Sequence, residues 1–263
     1  MGRLLGHCSA NLGAFHFAGR AWQVPGLTEL PLFPKPRKIK FTITSGSISH
    51  LDTLTSLAPQ LEHLEAWVTG YSVTGLSALP ASLTHLRINQ WLIESGDFGT
   101  RPFVHVRHLD IIDYVHVAGD NHRGPVMEII QCIFPNLTSL DVGIHYNYRN
   151  IILLLARTLP NVSRLKLSIS VSILDSNDAT PYIAEPARGP LARLYVHVLG
   201  SRDRDMERYK TWVTHTIFGP TVGLGGPHLR QVEVAFSTTG TSTPVLPLWC
   251  WRQVKKEWVF DQY

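Results

Sequence analysis

At 263 residues, 44% hydrophobic and 17% charged, the chain has the composition of a globular protein with room for a sizeable core. It has no run of about 18 apolar residues, which excludes a membrane-spanning helix. The net charge of +4 is uneven: residues 1–43 carry six Lys and Arg against Glu29 alone, and the remainder carries 18 basic and 19 acidic side chains. That is not the clustered basic face of a nucleic-acid binder.

Residues 1–33 read as a flanking cap. The start, MGRLLGHCSANLGAFHFAG, contains apolar residues, but His7, Asn11 and His16 interrupt them, so no signal peptide is read there. Gly at position 6 removes the myristoylation motif that Met1-Gly2 would open.

From residue 34 one pattern recurs: a proline, a few residues, an apolar residue, two further residues, then alternating apolar positions. It appears as PKPRKIKFTI (34–43), PQLEHLEAWV (59–68), PASLTHLRIN (80–89), PFVHVRHLDII (102–112), PNLTSLDVGI (135–144), PNVSRLKLSI (160–169), PLARLYVHV (190–198) and PHLRQVEVAF (227–236). The anchors Ile39, Leu64, Leu86, Leu109, Leu140, Leu165, Leu194 and Val232 lie 25, 22, 23, 31, 25, 29 and 38 residues apart. Alternation predicts a short strand with one buried face, and the proline, which cannot donate to a ladder, is expected before it.

Segments 50–58, 126–134, 150–159 and 205–218 have apolar residues at three- and four-residue spacing and are predicted helices. A strand and a helix cannot bury their own apolar faces, but stacked units can. Cys132, within the apolar helical segment 126–134, is expected to be a buried small hydrophobe. DSNDATPYIAEPARGP (175–190) reads as a protruding loop and GPTVGLGG (219–226) as a turn. The end, residues 237–263, concentrates Trp249, Trp251 and Trp258 and reads as an aromatic cap over the last unit.

PQLEHLEAWV, PNLTSLDVGI and PNVSRLKLSI resemble the L-x-x-L-x-L core of the leucine-rich-repeat family. The irregular spacing resembles the repeat region of fungal F-box/leucine-rich-repeat proteins, over residues 34–236. The Asn or Cys that follows the third leucine in regular repeats is mostly missing, with Asn89 the best match. The F-box is not found: after Leu30-Pro31 come two more prolines and a basic strand, which a helix does not tolerate. The resemblance implies an α/β leucine-rich-repeat solenoid, right-handed, of about eight irregular strand-plus-helix or strand-plus-loop units. Its parallel sheet would line a concave face. It further implies a non-catalytic protein-interaction module, in the setting of substrate recognition by an F-box-type ubiquitin ligase.

The outward strand positions are the candidate partner-binding residues. One column reads Lys38, His63, His85, His108, Ser139, Arg164, Arg193, Gln231. The next reads Lys40, Glu65, Arg87, Asp110, Asp141, Lys166, Tyr195, Glu233, and the third begins Thr42, Trp67, Asn89. With strands about 4.8 Å apart, His63, His85 and His108 are expected to form a ladder. Exposed Trp67 and Tyr195 are the natural anchors for a protein partner.

An alternative reading takes the His- and Asp-rich stretch 105–122 as a metal, ligand or general-base site of an accessory enzyme, using His108, Asp110, Asp113, His116, Asp120 and His122. No HExxH, GxSxG or phosphate-loop motif supports it. No catalytic residue, cofactor or metal is assigned. Nucleic-acid and membrane partners are not expected, and the chain is expected to be a monomer.

Two glycosylation acceptors, Asn136-Leu137-Thr138 and Asn161-Val162-Ser163, take the same place in consecutive units, so the repeat explains both. Three cysteines far apart (Cys8, Cys132, Cys250), with no signal peptide, fit reduced thiols and a cytoplasmic or nuclear location.

Overall fold

The computed structural model describes residues 13–19, 36–43, 47–48, 58–68, 72–73, 79–89, 93, 102–115, 126–144, 161–170, 190–199, 228–237, 245–254 and 257–262. The expected helices at 150–159 and 205–218, all but the last residue of that at 50–58, the loop and turn at 175–190 and 219–226 (apart from Pro190), and His116, Asp120 and His122 lie outside the described residues. The strands are β1 (Ala14–Gly19), β2 (Lys38–Ile43), β3 (Ser47–Ile48), β4 (His63–Val68), β5 (Ser72–Val73), β6 (His85–Ile88), β7 (His108–Val115), β8 (Ser139–Ile144), β9 (Arg164–Ser170), β10 (Arg193–Leu199), β11 (Gln231–Ser237), β12 (Val245–Val254) and β13 (Glu257–Gln262). Among the described residues the helix α1 (Val126–Ile133) stands between β7 and β8 in the chain. The chain divides into two compact units, Met1–Ile112 with Ile129–Leu137, and Asp113–Glu128 with Thr138–Tyr263.

In the first unit β1, β2, β4, β6 and β7 lie side by side in chain order, all parallel. The register places the anchors Ile39, Leu64, Leu86 and Leu109 in one row, and all four are buried. Alternation completes the same face with Ala66, Ile88 and Ile111. β3 and β5 form a separate two-stranded parallel pair.

A turn precedes β4, β6, β7 and β8 and accounts for the proline at two of them. Leu61 N–H bonds to Ala58 C=O, Leu83 to Pro80, Val106 to Phe103 and Leu137 to Phe134, at 3.0–3.2 Å. These are four-residue turns. Pro59 and Pro135 take the second position, where a fixed φ suits the turn and the missing N–H costs nothing. Each turn delivers an apolar residue three places before the anchor, and Leu61, Leu83, Val106 and Leu137 are buried. The L-x-x-L spacing is therefore one residue from the turn and one from the strand, brought to the same core.

The strands also start alike. The carbonyl of Arg37 accepts from Glu62 and His63, that of Glu62 from Thr84 and His85, and that of Thr84 from Arg107 and His108. Residues at the turn–strand junction thus leave no backbone donor unpaired.

In α1 the buried Ile130 is followed four residues on by the buried Phe134, whose ring stacks on Phe103 at 5.9 Å. Phe103 N–H also meets the Ile133 carbonyl at 2.7 Å, capping an end that a helix leaves open. Cys132 is exposed, contrary to expectation. It stands two residues from both Ile130 and Phe134, roughly half a turn away from the buried stripe.

In the second unit β8, β9, β10 and β11 are parallel and in register, with Leu140, Leu165, Leu194 and Val232 in one buried row. β12 and β13 follow antiparallel to β11 and to each other. Val232 and Val234 pair with Trp251 and Trp249, both buried. Trp249 meets Phe236 edge-on at 4.6 Å, and Trp251 lies 4.9 Å from Phe260. The aromatic-rich end therefore extends the sheet as two strands and covers the apolar row of β11 with indoles.

The main sheet is open, mostly parallel and strand-rich, consistent with the coarse α/β architecture expected. β1 lies within the segment read as a cap: its Phe15 registers with Ile39.

Candidate functional site

The apolar rows leave the alternate strand positions on the opposite face, and every candidate partner-binding residue lies there. His63, His85 and His108 open β4, β6 and β7 and are direct register partners. Their rings stack, with centroids 4.0 Å apart at both steps and interplanar angles of 27° and 11°. The expected ladder is thus formed. Thr84 Oγ1 lies 2.8 Å from His85 Nδ1 and fixes the central ring. Burial above all, then the charges that His108 and His63 would carry, lower the His85 pKa to about 4. At neutral pH the middle of the ladder is an uncharged imidazole.

One step along the strands, Lys40, Glu65, Arg87 and Asp110 form a second row by register. Lys40 Nζ is 2.5 Å from Glu65 Oε1, Arg87 Nη1 is 4.0 Å from Glu65 Oε2, and Arg87 Nε is 3.0 Å from Asp110 Oδ2. Charges alternate across the four strands and each meets its opposite. Half-buried Trp67 stands in the third row beside Thr42.

The second unit repeats this face with different chemistry. Lys166 Nζ contacts Asp141 Oδ2 at 2.5 Å and lies 5.8 Å from the centre of the Tyr195 ring. Burial first, then the Glu233 and Asp141 carboxylates, push the Tyr195 hydroxyl pKa up. Glu233 is engaged by the Gln231 amide at 2.5 Å. Arg164 and Arg193 open β9 and β10 as register partners, and both are exposed.

Of the stretch 105–122, the structure places His108 in the ladder and Asp110 against Arg87, so two of its side chains already have partners. Asp113 lies on β7, and His105 is exposed. Among the described residues no group of three or more His, Cys, Asp and Glu is arranged to hold a metal ion.

Residue-by-residue reading missed two groups on this face. His197 falls in the third row of the second unit, in register with Ser168 and Ala235. It is 7% exposed, and among the described residues its Nε2 has no hydrogen-bond partner. Burial and the Lys166 ammonium lower its pKa, against a smaller opposing pull from Asp141. Cys250 registers with Glu233, and burial and that carboxylate raise its thiol pKa. The third column, continued past Asn89, contains His197. Cys250 was hidden because β12 runs antiparallel, and no repeat pattern announces that.

The acceptor asparagine of the fifth unit has a structural use. Asn136 Nδ2 donates to Val104 C=O at 3.0 Å, and the Asn136 carbonyl accepts from Arg107 Nη1 at 3.1 Å. The nitrogen that a sugar would occupy ties two successive turns together.

No helix among the described residues is long and apolar enough to cross a membrane. Compared with known families and proteins, the sequence matches no family model and no curated protein.

Proposed function

We propose that this chain is a non-catalytic protein-interaction module of the leucine-rich-repeat type, acting in the cytoplasm or nucleus through the polar strand face. The observation that carries this reading is the row register of that face. Within each unit, parallel, in-register strands hold these side chains at fixed lateral spacing: His63, His85, His108 and Trp67 in the first, Arg164, Lys166, Arg193 and Tyr195 in the second. Strand arrays of this kind suit protein recognition because the backbone that positions the side chains is already ordered before binding. Trp67 and Tyr195, both half-buried, are the anchors. Substrate recognition in an F-box-type ubiquitin ligase is the setting that the repeat resemblance favours.

Site-specific photo-crosslinking tests it. A benzoylphenylalanine replaces Trp67 or Tyr195, both aromatic already, or Cys132 on the exposed side of α1. In native lysate a discrete protein adduct is expected from positions 67 and 195 and not from 132. No adduct from the strand face, or the same adducts from position 132, would overturn the proposal.

A further inference from the structure

Arg164 and Arg193 are direct register partners on adjacent parallel strands, and both are exposed. In-register parallel strands lie about 4.8 Å apart, so two full positive charges stand side by side. Like charges in that relation oppose each other. Among the described residues neither guanidinium has an ion-pair or hydrogen-bond partner. The nearby acids are committed elsewhere. Asp141 is held by Lys166 at 2.5 Å and Glu233 by Gln231 at 2.5 Å. Arg252, in register with Gln231 at the same level, has its own carboxylate in Asp261. Lys40, Arg87 and Lys166 are each matched by an acid on the neighbouring strand. The arginine pair departs from that rule of cross-strand compensation.

We infer that Arg164 and Arg193 form a two-pronged oxyanion clamp for an acidic segment of a protein partner, the anion being a side-chain carboxylate or a phosphate on a hydroxyl side chain. The inference rests on the interaction-module reading and names the chemistry of its partner in the second unit. A guanidinium presents two parallel N–H donors, the geometry a carboxylate or phosphate accepts, and two neighbouring forks can grip one group from both sides. Bound oxyanion would also relieve the repulsion between the pair. The next row argues for a peptide over nucleic acid. Asp141 and Glu233 flank the clamp on either side and repel a continuous phosphodiester backbone, whereas a peptide need carry its charge at one or two positions only.

The test uses the full chain and three fluorescent probes. These are a Ser/Glu repeat peptide, the same peptide phosphorylated on serine, and a single-stranded oligonucleotide of equal charge. At least one peptide is expected to bind and to weaken by about tenfold or more in Arg164→Gln/Arg193→Gln, the range set by charge-assisted hydrogen bonds. Arg164→Lys/Arg193→Lys restores part of the affinity, because charge returns without the fork. Arg252→Gln leaves it unchanged. Preference for the phosphorylated peptide identifies phosphate as the anion, and equal binding of the two identifies carboxylate. Peptides that fail to bind, or that bind the double glutamine variant as well as the parent, would overturn the clamp, as would an oligonucleotide that binds tighter than both.

The thermal midpoint of the glutamine variant is expected to equal or exceed the parent's, which excludes misfolding as the cause of lost binding. A face-specific crosslink at position 67 that survives in this variant, without peptide binding, sinks the clamp and spares the module. Peptide binding lost in the variant, with no crosslink at 67 or 195 to any protein, does the reverse.

Discussion

His85 illustrates how one position is governed by its neighbours across strands. An isolated imidazole titrates near 6.5, but this one is enclosed between two others at 4.0 Å and falls to about 4. Of the charged side chains on its own and the adjacent strands, Glu65 on β4, Arg87 on β6 and Asp110 on β7 are occupied with each other. Because the folded pKa lies below the unfolded value, the unfolded chain takes up the proton first as pH falls. The contribution of His85 to stability is therefore whole above about pH 6.5 and is lost progressively down to about pH 4. The urea midpoint is expected to drop over this window, and less steeply in His85→Gln, where no ring is left to protonate. Equal slopes for the two proteins would contradict the stacked ladder as the source.

At the scale of the element, the strand is a device for matching charge sideways. The alternation Lys40, Glu65, Arg87, Asp110 comes from four different repeats, and each residue's partner is 22 to 25 positions away in the chain. Arg87 is half-exposed, so each of its pairs contributes little alone, on the order of 0–1 kcal/mol. Reversing it is different in kind. Arg87→Glu places three carboxylates on adjacent strands, and a loss of about 1 kcal/mol is expected, shrinking as salt is raised. Arg87→Glu/Asp110→Arg restores alternation only between those two strands and should recover part of the loss. Denaturation at low and high ionic strength measures both.

For the molecule as a whole, the decisive feature is how an open parallel sheet ends. A free edge presents a row of unpaired backbone groups, here beside the buried Val232, Val234 and Phe236. In the second unit β12 and β13 continue the hydrogen bonding beyond β11, and Trp249 and Trp251 cover the apolar row. A chain ending at residue 237 would leave β11 as a bare hydrophobic edge. It is expected to elute as aggregates in size-exclusion chromatography under conditions where the full chain does not. Trp249→Ala, which keeps the strands and removes one indole, is expected to cost about 3–5 kcal/mol without aggregation.

Composition, proline placement and the alternation of apolar residues determined the repeat by themselves. They located eight strands, their inward anchors and the outward columns to the residue, because these patterns depend only on period-two geometry and on the turn before each strand. The histidine ladder was legible for the same reason: in-register stacking makes residues at equal repeat positions neighbours. Only the tertiary structure decided what one sequence position cannot encode. β1 registers against β2 with no proline unit to announce it, and α1 turns Cys132 outward. β12 folds back antiparallel and brings Cys250 beside Glu233. The same holds for the pairing that leaves Arg164 and Arg193 unmatched among the described residues while Lys166 finds Asp141. Each outcome depends on which strand lies beside which and in what direction, and that is settled by burial of the whole apolar face rather than by any local preference.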